Sequence, residues 1–208
     1  ILTQGAKPLF FLDYIAFSDL EPQSMDTLMR GITWGCREVG CALIGGETAQ
    51  MPGTYSNGEL DLAGFVVGAV ERERMIDRAN MQSGDYLIGI ASSGVHTNGF
   101  SLVRRVFNID EDPAVLFNRY AELNHQLGEE LLVRHRCYYP LLAPVLDLVS
   151  GLAHITGGGL PGKMPAILPK DLAAEFVVGS WPVLPIFEII QREGPVNQDE
   201  MYRVFNMG

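Results

Sequence analysis

The sequence predicts a mixed α+β chain of two halves, and three observations lead to this prediction. The chain has 208 residues, of which 47% are hydrophobic and 19% charged, so it can bury a large core. Short apolar runs typical of buried strands alternate irregularly with segments of helical periodicity, which favours α+β halves over one doubly wound sheet. A charged, polar stretch at 71–84 separates the halves. We therefore predict one domain over residues 1–75 and a second over residues 76–208.

The first half contains three predicted strands and one predicted helix. The strands are the apolar segments 9–16, 41–44 and 60–70. Apolar residues repeat at helical spacing over 25–39, with Ser24 as a possible N-terminal cap. Gly40 then stands where a left-handed C-terminal cap falls, so the helix is expected to end there.

The second half is predicted to alternate strands and helices. We expect strands at 86–91 and 172–178, and a helix directly after Gly99. A helix over 138–149 should bend at Pro144. Pro182 is expected to open another helix, and Asn197 to cap the last one.

Charge and cysteine content exclude several classes of protein. Lys and Arg number 15 against 25 Asp and Glu, and this net charge of −10 is unsuited to a nucleic-acid groove. Three cysteines without metal-ligand spacing argue against a disulfide framework or a zinc site and favour the cytoplasm. No apolar run is long enough for a membrane span. Because the chain opens on Ile1 rather than Met, we expect a piece of a longer polypeptide, truncated at both ends.

A double glycine follows the strand at 41–44. Gly45 and Gly46 would let the backbone approach a ligand, while Glu47 offers a carboxylate to Mg²⁺ and Thr48 a hydroxyl. A simple glycine turn with a solvated Glu47 explains the same four residues, and on this motif alone it is the stronger interpretation.

Two further glycine-rich segments each carry a histidine. Ser92–Gly99 lies between a predicted strand and a helix N-terminus, where backbone N–H groups and the helix dipole favour an anion. Ser93, Gly94, His96 and Asn98 are its candidate contacts, although Asn98 could equally be a plain helix cap. In the second segment, His154 precedes the three glycines Gly157, Gly158 and Gly159. Together they predict a shared site for phosphate binding and proton transfer.

Asp13 is the one acid inside the apolar strand 9–16. Burying a carboxylate is costly unless it meets a metal or hydrogen-bond donors, so a metal or phosphate role and a backbone-bonded structural role are both open. The chain has neither a Walker GxxxxGK[ST] loop nor a GxGxxG sequence after a strand. P-loop and Rossmann nucleotide binding are therefore not predicted.

Read together, five segments resemble the phosphoribosylformylglycinamidine cyclo-ligases, also called aminoimidazole ribonucleotide synthetases. The segments are 4–14, 45–53, 92–104, 153–159 and 201–208. They run through the whole chain in unbroken order. The resemblance implies a cytoplasmic, homodimeric enzyme of purine biosynthesis that uses ATP and Mg²⁺ to close an imidazole ring on a small ribonucleotide substrate. It further implies two α/β domains, the second with a mixed sheet, and a dimeric β-barrel built by the first.

The resemblance also assigns roles to the candidate residues. Glu47 and Asp13 would bind the metal, with Thr48 assisting at ATP, while His96 and His154 would transfer protons or stabilise developing charge. Phosphates would be held by Ser93, Gly94, Asn98 and the glycines at 157–159. The chain departs from the family pattern at Gln50, where Glu is usual, and at Arg134 and His135, where Pro and Thr are usual.

Two alternatives remain open at this stage. One is a sister ATP-dependent enzyme of the same architecture, such as a thiamine-phosphate kinase or selenophosphate synthetase. The other is an inactive dimerising module that only binds ligand.

Overall fold

The computed structural model describes all residues from 1 to 208, and they form two compact units. The first consists of Ile1–Ile76 together with Cys137–Val149. The second consists of Asp77–Arg136 together with Ser150–Gly208. Segment 137–149, which lies in the second half of the sequence, thus belongs to the first unit. There the guanidinium of Arg74 donates to both carboxylate oxygens of Asp147, at 2.7 and 2.9 Å.

A three-stranded mixed sheet forms the centre of the first unit. Its elements are β1 (Lys7–Phe17), α1 (Pro22–Glu38), β2 (Ala42–Gln50) and β3 (Leu60–Ala69). The strand order is β2-β1-β3, with β1 parallel to β2 and antiparallel to β3. Because α1 connects the two parallel strands, it supplies the crossover that parallel pairing requires. The three strands and the helix expected in this half are all present, and the predicted α+β class is confirmed.

The ends of α1 follow from two residues. Pro22 occupies the first turn, where its missing N–H leaves no hydrogen bond unmade, so the helix begins before Ser24 and not at it. Gly40 has a φ of +66° and allows the left-handed turn after the helix. Ile15 and Ala16 of β1 and Cys36 of α1 are buried in the core of this unit.

The remaining helices follow in chain order. They are α2 (Phe100–Phe107), α3 (Leu127–Leu131), α4 (Tyr139–Leu142), α5 (Gly159–Ile167), α6 (Pro185–Glu193) and α7 (Gln198–Val204). All except α4 belong to the second unit. No helix of the chain combines the length and apolarity needed to cross a membrane.

Helix α6 is the centre of the second core. Four of its side chains are fully buried: Ile186, Phe187, Ile189 and Ile190. They pack with Leu102, Val103 and Phe107 of α2 and with Met201 and Phe205 at α7. Asn197 caps α7 by accepting the N–H of Glu200 at 2.8 Å, as predicted.

The strands expected at 86–91 and 172–178 are wrong, and so is the mixed sheet predicted for the second domain. Both segments are without strand pairing, and the sheet lies in the first unit. An apolar run becomes a strand only where a second chain segment completes its ladder, and the regular elements of this unit are all helices. Tyr86 and Ile88 are accordingly 94% and 85% exposed.

Two prolines also act differently from expectation. The predicted helix over 138–149 ends as α4 at Leu142, and a 3₁₀ helix at Ala143–Leu148 continues it past Pro144. Pro185, rather than Pro182, stands in the first turn of α6.

Candidate functional site

The first candidate segment, Ser92–Gly99, is a buried loop that leads into α2. Val95 and His96 are 2% and 7% exposed, and the Ser92 hydroxyl donates to the carbonyl of Gly94 at 3.2 Å. Gly99 stands at the N-cap of α2 with a φ of +84°, so Asn98 is not the cap residue. The side chain of Asn98 is thereby left for another role.

His96 is held in one tautomer by its own loop. The backbone N–H of Ser93 donates to Nε2 of His96 at 3.0 Å, so that nitrogen carries no hydrogen and the neutral ring is protonated at Nδ1. The Ser93 hydroxyl lies 3.0 Å from the same nitrogen and donates to the carbonyl of Arg134 at 2.7 Å. Burial, followed by the charges of His135, His154 and Arg136, lowers the pKa of His96 to about 4. At neutral pH His96 is therefore an uncharged donor through Nδ1.

Three imidazoles meet at this point of the second unit. His135 stacks on His96 with ring centroids 3.9 Å apart and planes 13° from parallel. On its other side the His135 and His154 centroids lie 5.3 Å apart, with the planes tilted by 54°. The structure thus brings together the two histidines that the sequence predicted, and it places a third between them.

The second glycine segment begins α5. Gly158 is the N-cap of this helix, with a φ of +98°, and Gly159 follows with a φ of +58°. A Cβ at Gly159 would meet the carbonyl oxygen of Tyr202, and one at Gly157 would lie 3.3 Å from Oδ1 of Asn98. The two predicted loops therefore lie side by side, and Asn98 faces the glycines.

The last turn of α7 and the chain after it contact both loops. Nδ2 of Asn206 donates to the carbonyl of Gly94 at 3.0 Å, and its Oδ1 accepts the N–H of Gly208 at 2.9 Å. Phe205 lies against the Cα of Gly99, where a Cβ would collide with its ring. Segment 202–208, which we call the clasp, thus fixes the position of both glycine loops.

The carboxylates of the first unit lie on the sheet. Gly45–Thr48 lies within β2, so the glycine loop predicted there is wrong. Gly46 pairs with Asp13 so closely that a Cβ would contact the Asp13 backbone and carboxylate, and this contact explains the glycine.

Strand register separates the two predicted metal ligands. Asp13 pairs with Gly46 and Tyr14 with Glu47, so the two carboxylates project from opposite faces of the sheet. Thr48 pairs with Ile15 and lies on the face of Asp13. Asp13 is 8% exposed, whereas Glu47 is exposed. One ion cannot contact both carboxylates.

Asn206 and His135 are the residues of the site that sequence reasoning left without a role. The bond from Asn206 to Gly94 joins residues 112 positions apart, so no local pattern reveals it. His135 lies outside the glycine-rich segments, unlike His96 and His154, which the sequence singled out. Gln50, noted as a departure, donates to the carbonyl of Ser18 at 3.1 Å, which a carboxylate there could not do.

Comparison with known proteins places this arrangement in a class. The family model described as "AIR synthase related protein, N-terminal domain" matches residues 1–70, and the model for the C-terminal domain of the same description matches residues 82–208. The chain belongs to the AIR synthase related family.

Curated relatives that are about 50% identical to this chain share one name. A phosphoribosylformylglycinamidine cyclo-ligase from Caldicellulosiruptor saccharolyticus is 50% identical over the whole chain and 62% of its own length. Those from Caldicellulosiruptor bescii and Brevibacillus brevis are 52% and 50% identical, with 62% and 60% of their lengths covered. The chain thus spans about three fifths of these relatives, and the resemblance stated from the sequence is confirmed.

Solved structures share the fold. Thiamine monophosphate kinase from Aquifex aeolicus matches with a TM-score of 0.63 and 16% identity, over 98% of this chain and 63% of that one. The structure "AaThiL complexed with AMPPCP and TMP" matches with a TM-score of 0.60 and 14% identity, over 100% and 61% of the two chains. At such identities the likeness concerns the fold alone.

Replacing Asn206 tests the clasp. Asn206→Ala removes the donor to Gly94 and the acceptor for Gly208, and we expect a loss of about 1–3 kcal/mol in the free energy of unfolding, measured by urea denaturation. Asn206→Asp is the matched variant, because it keeps the acceptor and loses only the donor. It should be destabilised at least as much, since a carboxylate would then face the carbonyl of Gly94. An Asn206→Asp protein as stable as the parent would show that the contact to the loop contributes nothing.

Proposed function

We propose that this chain supplies the nucleotide-binding and substrate-binding parts of a phosphoribosylformylglycinamidine cyclo-ligase. In this reaction formylglycinamidine ribonucleotide is cyclised to aminoimidazole ribonucleotide, with ATP converted to ADP and phosphate. The observation that carries the proposal is the identity of about 50% along the entire chain to relatives named for this activity. The thiamine-phosphate kinase alternative is supported only by a fold likeness at 14–16% identity.

The chemistry requires an amide oxygen to become a leaving group. Transfer of the γ-phosphoryl group of ATP to that oxygen gives a phosphorylated imidate and releases ADP. A neighbouring nitrogen then attacks the imidate carbon, loses a proton and expels phosphate as the ring closes. Phosphoryl transfer depends mainly on positioning and charge neutralisation, so the protein has to hold anions in place.

The second unit offers such a place for anions. We assign phosphate contacts to Gly94 and Asn98 and to the backbone of Gly157, Gly158 and Gly159 at the start of α5. A phosphate contact of Ser93 stays a prediction, because its N–H and its hydroxyl already donate to His96 and to the carbonyl of Arg134. Arg136 and Lys163 contribute positive charge beside His96 and His154 respectively. Local cations and backbone dipoles can therefore favour an anion despite the net charge of −10.

Neutral His96 suits charge stabilisation better than acid catalysis. Its Nε2 accepts the N–H of Ser93, so the hydrogen of the neutral ring lies on Nδ1. We propose that this donor stabilises developing negative charge at the phosphorylated oxygen. His154, which is more exposed, is then the candidate for proton transfer.

Glu47 fits a Mg²⁺ ligand. Magnesium keeps several waters and takes one or two carboxylates together with substrate phosphates, and an exposed carboxylate on β2 meets that need. When bound, the ion would neutralise charge on the phosphates of ATP. That Asp13 binds metal and that Thr48 assists at ATP both stay predictions, and any ion at Asp13 is a different one.

We also propose the homodimer with a shared β-barrel. Strand β3 leaves several large apolar side chains exposed: Leu60, Leu62, Phe65, Val66 and Val67. Strand β3 lies at the edge of the sheet, and exposed apolar side chains on an edge strand are typical of an interaction site. A second copy is the partner that the family resemblance implies. The cytoplasmic location likewise stays a prediction.

Substrate-dependent ATP turnover tests the proposed reaction. The complete polypeptide should release ADP and phosphate only when formylglycinamidine ribonucleotide and Mg²⁺ are both present, as measured by a coupled ADP assay. Turnover with thiamine phosphate or selenide, and none with the ribonucleotide, would favour a sister enzyme. No turnover with any of them would favour a binding module.

The variant Glu47→Gln tests the metal assignment. It keeps the shape of the side chain and removes its charge, so kcat should fall by about two orders of magnitude or more, with an altered Mg²⁺ dependence. Glu59→Gln is the control, because Glu59 is an exposed acid of the same unit that only accepts the N–H of Ser56. If both variants keep the parent's rate and Mg²⁺ dependence, Glu47 is a solvated strand residue.

Paired glycine substitutions test the phosphate loop. Gly158→Val forces a β-branched residue to a φ of +98°, and binding of inorganic phosphate, measured by calorimetry, should weaken by about ten-fold or more. Gly162→Val in the same helix has open space around it and should leave the affinity near that of the parent. Equal affinities in the two variants would contradict the assignment.

A further inference from the structure

His135 lies at the centre of the histidine cluster, yet neither the motifs nor the proposed chemistry uses it. Its ring covers one face of His96 at a centroid distance of 3.9 Å and approaches His154 at 5.3 Å. Of the four histidines in the chain, only His125, which pairs with Glu130, lies outside this group.

His96 needs outside support for its conformation. Its φ of +61° lies in the left-handed region, which costs a residue with a Cβ about 1–2 kcal/mol. The hydrogen bond from Ser93 fixes one edge of the ring. A flat partner parallel to within 13° restrains one face and keeps water from it.

The backbone beside His135 is tied to the same loop. The Ser93 hydroxyl, 3.0 Å from Nε2 of His96, donates to the carbonyl of Arg134 at 2.7 Å. The backbone N–H of Ser93 holds the edge of the His96 ring, and its hydroxyl holds the residue preceding His135. The stacked geometry follows from this shared anchor.

Nearby positive charge also favours the neutral form of His96. The groups whose charges act on His96 are His135, His154 and Arg136, and the one acting on His135 is His154. All of them are cationic when protonated, so protonating any ring of the cluster is disfavoured. Burial and His154 lower the pKa of His135 as well.

We propose that His135 is a positioning residue, which holds His96 neutral, protonated at Nδ1 and directed towards the reacting phosphate. Its consequence for catalysis rests on the proposed function, but its effect on the His96 ring does not. The ring can therefore be observed in the absence of any substrate.

Imidazole NMR of the full chain, labelled at histidine, tests the proposal. In the parent, His96 should show the Nδ1–H tautomer and stay neutral to about pH 4. His135→Phe keeps a flat ring and removes its charge, so the tautomer should persist and the pKa of His96 should rise slightly. His135→Ala exposes the ring face, and the pKa should rise by about one pH unit or more, with mixed tautomers. His125→Phe is the matched control and should change neither property.

Kinetics of the complete polypeptide give the second readout. His135→Ala should lower kcat by about ten-fold or more with little change in KM, and His135→Phe should restore most of the rate. The proposal is overturned if His96 titrates with the parent's pKa and tautomer in both variants. If His135→Ala does not fold, loss of the Nδ1–H tautomer in His135→Phe overturns it too. Normal ring behaviour without cyclo-ligase activity would instead reject the proposed function alone.

Discussion

Both glycine loops of the second unit lie so close to the clasp that no side chain fits between them. Gly99 packs against Phe205, and Gly159 against the carbonyl of Tyr202. Phe205 is itself buried in the core around α6, so the core determines where the two loops lie. Asn206 adds the one hydrogen bond that reaches from the clasp to Gly94. The arrangement of the two glycine loops therefore follows from packing against α7 and the clasp, which their own glycines permit.

The second constraint is electrostatic. An acidic chain cannot attract phosphate over long distances, so the proposed phosphate binding would depend on dipoles and on nearby cations. Here the start of α5, with Arg136 and Lys163 near the imidazoles, provides them. His96 is uncharged because it is buried among groups that become cationic on protonation. It can therefore remain a hydrogen-bond donor of constant form throughout the physiological pH range.

Sequence patterns predicted the elements that local chemistry determines. Strands β1 and β3 follow from apolar runs, α1 from its periodicity, and the start of α7 from Asn197. Sequence patterns gave wrong predictions where contact with a distant segment determines the local structure. Gly45 and Gly46 suggested a turn but lie in β2, because Asp13 of β1 requires a glycine opposite it. The run at 86–91 has the composition of a strand but no partner. The glycine-rich segments around His96 and His154 predicted that these two residues share a site. No sequence pattern singled out His135, and only the fold places it between them.

We propose that the loops at 92–99 and 157–159 form one phosphate site. Amide chemical shifts of ¹⁵N-labelled complete polypeptide, followed during titration with inorganic phosphate, test it most directly. We expect the amides of Gly94, Asn98, Gly157, Gly158 and Gly159 to shift together and to fit a single Kd. Shifts confined to one loop, or two separate dissociation constants for the two loops, would contradict it.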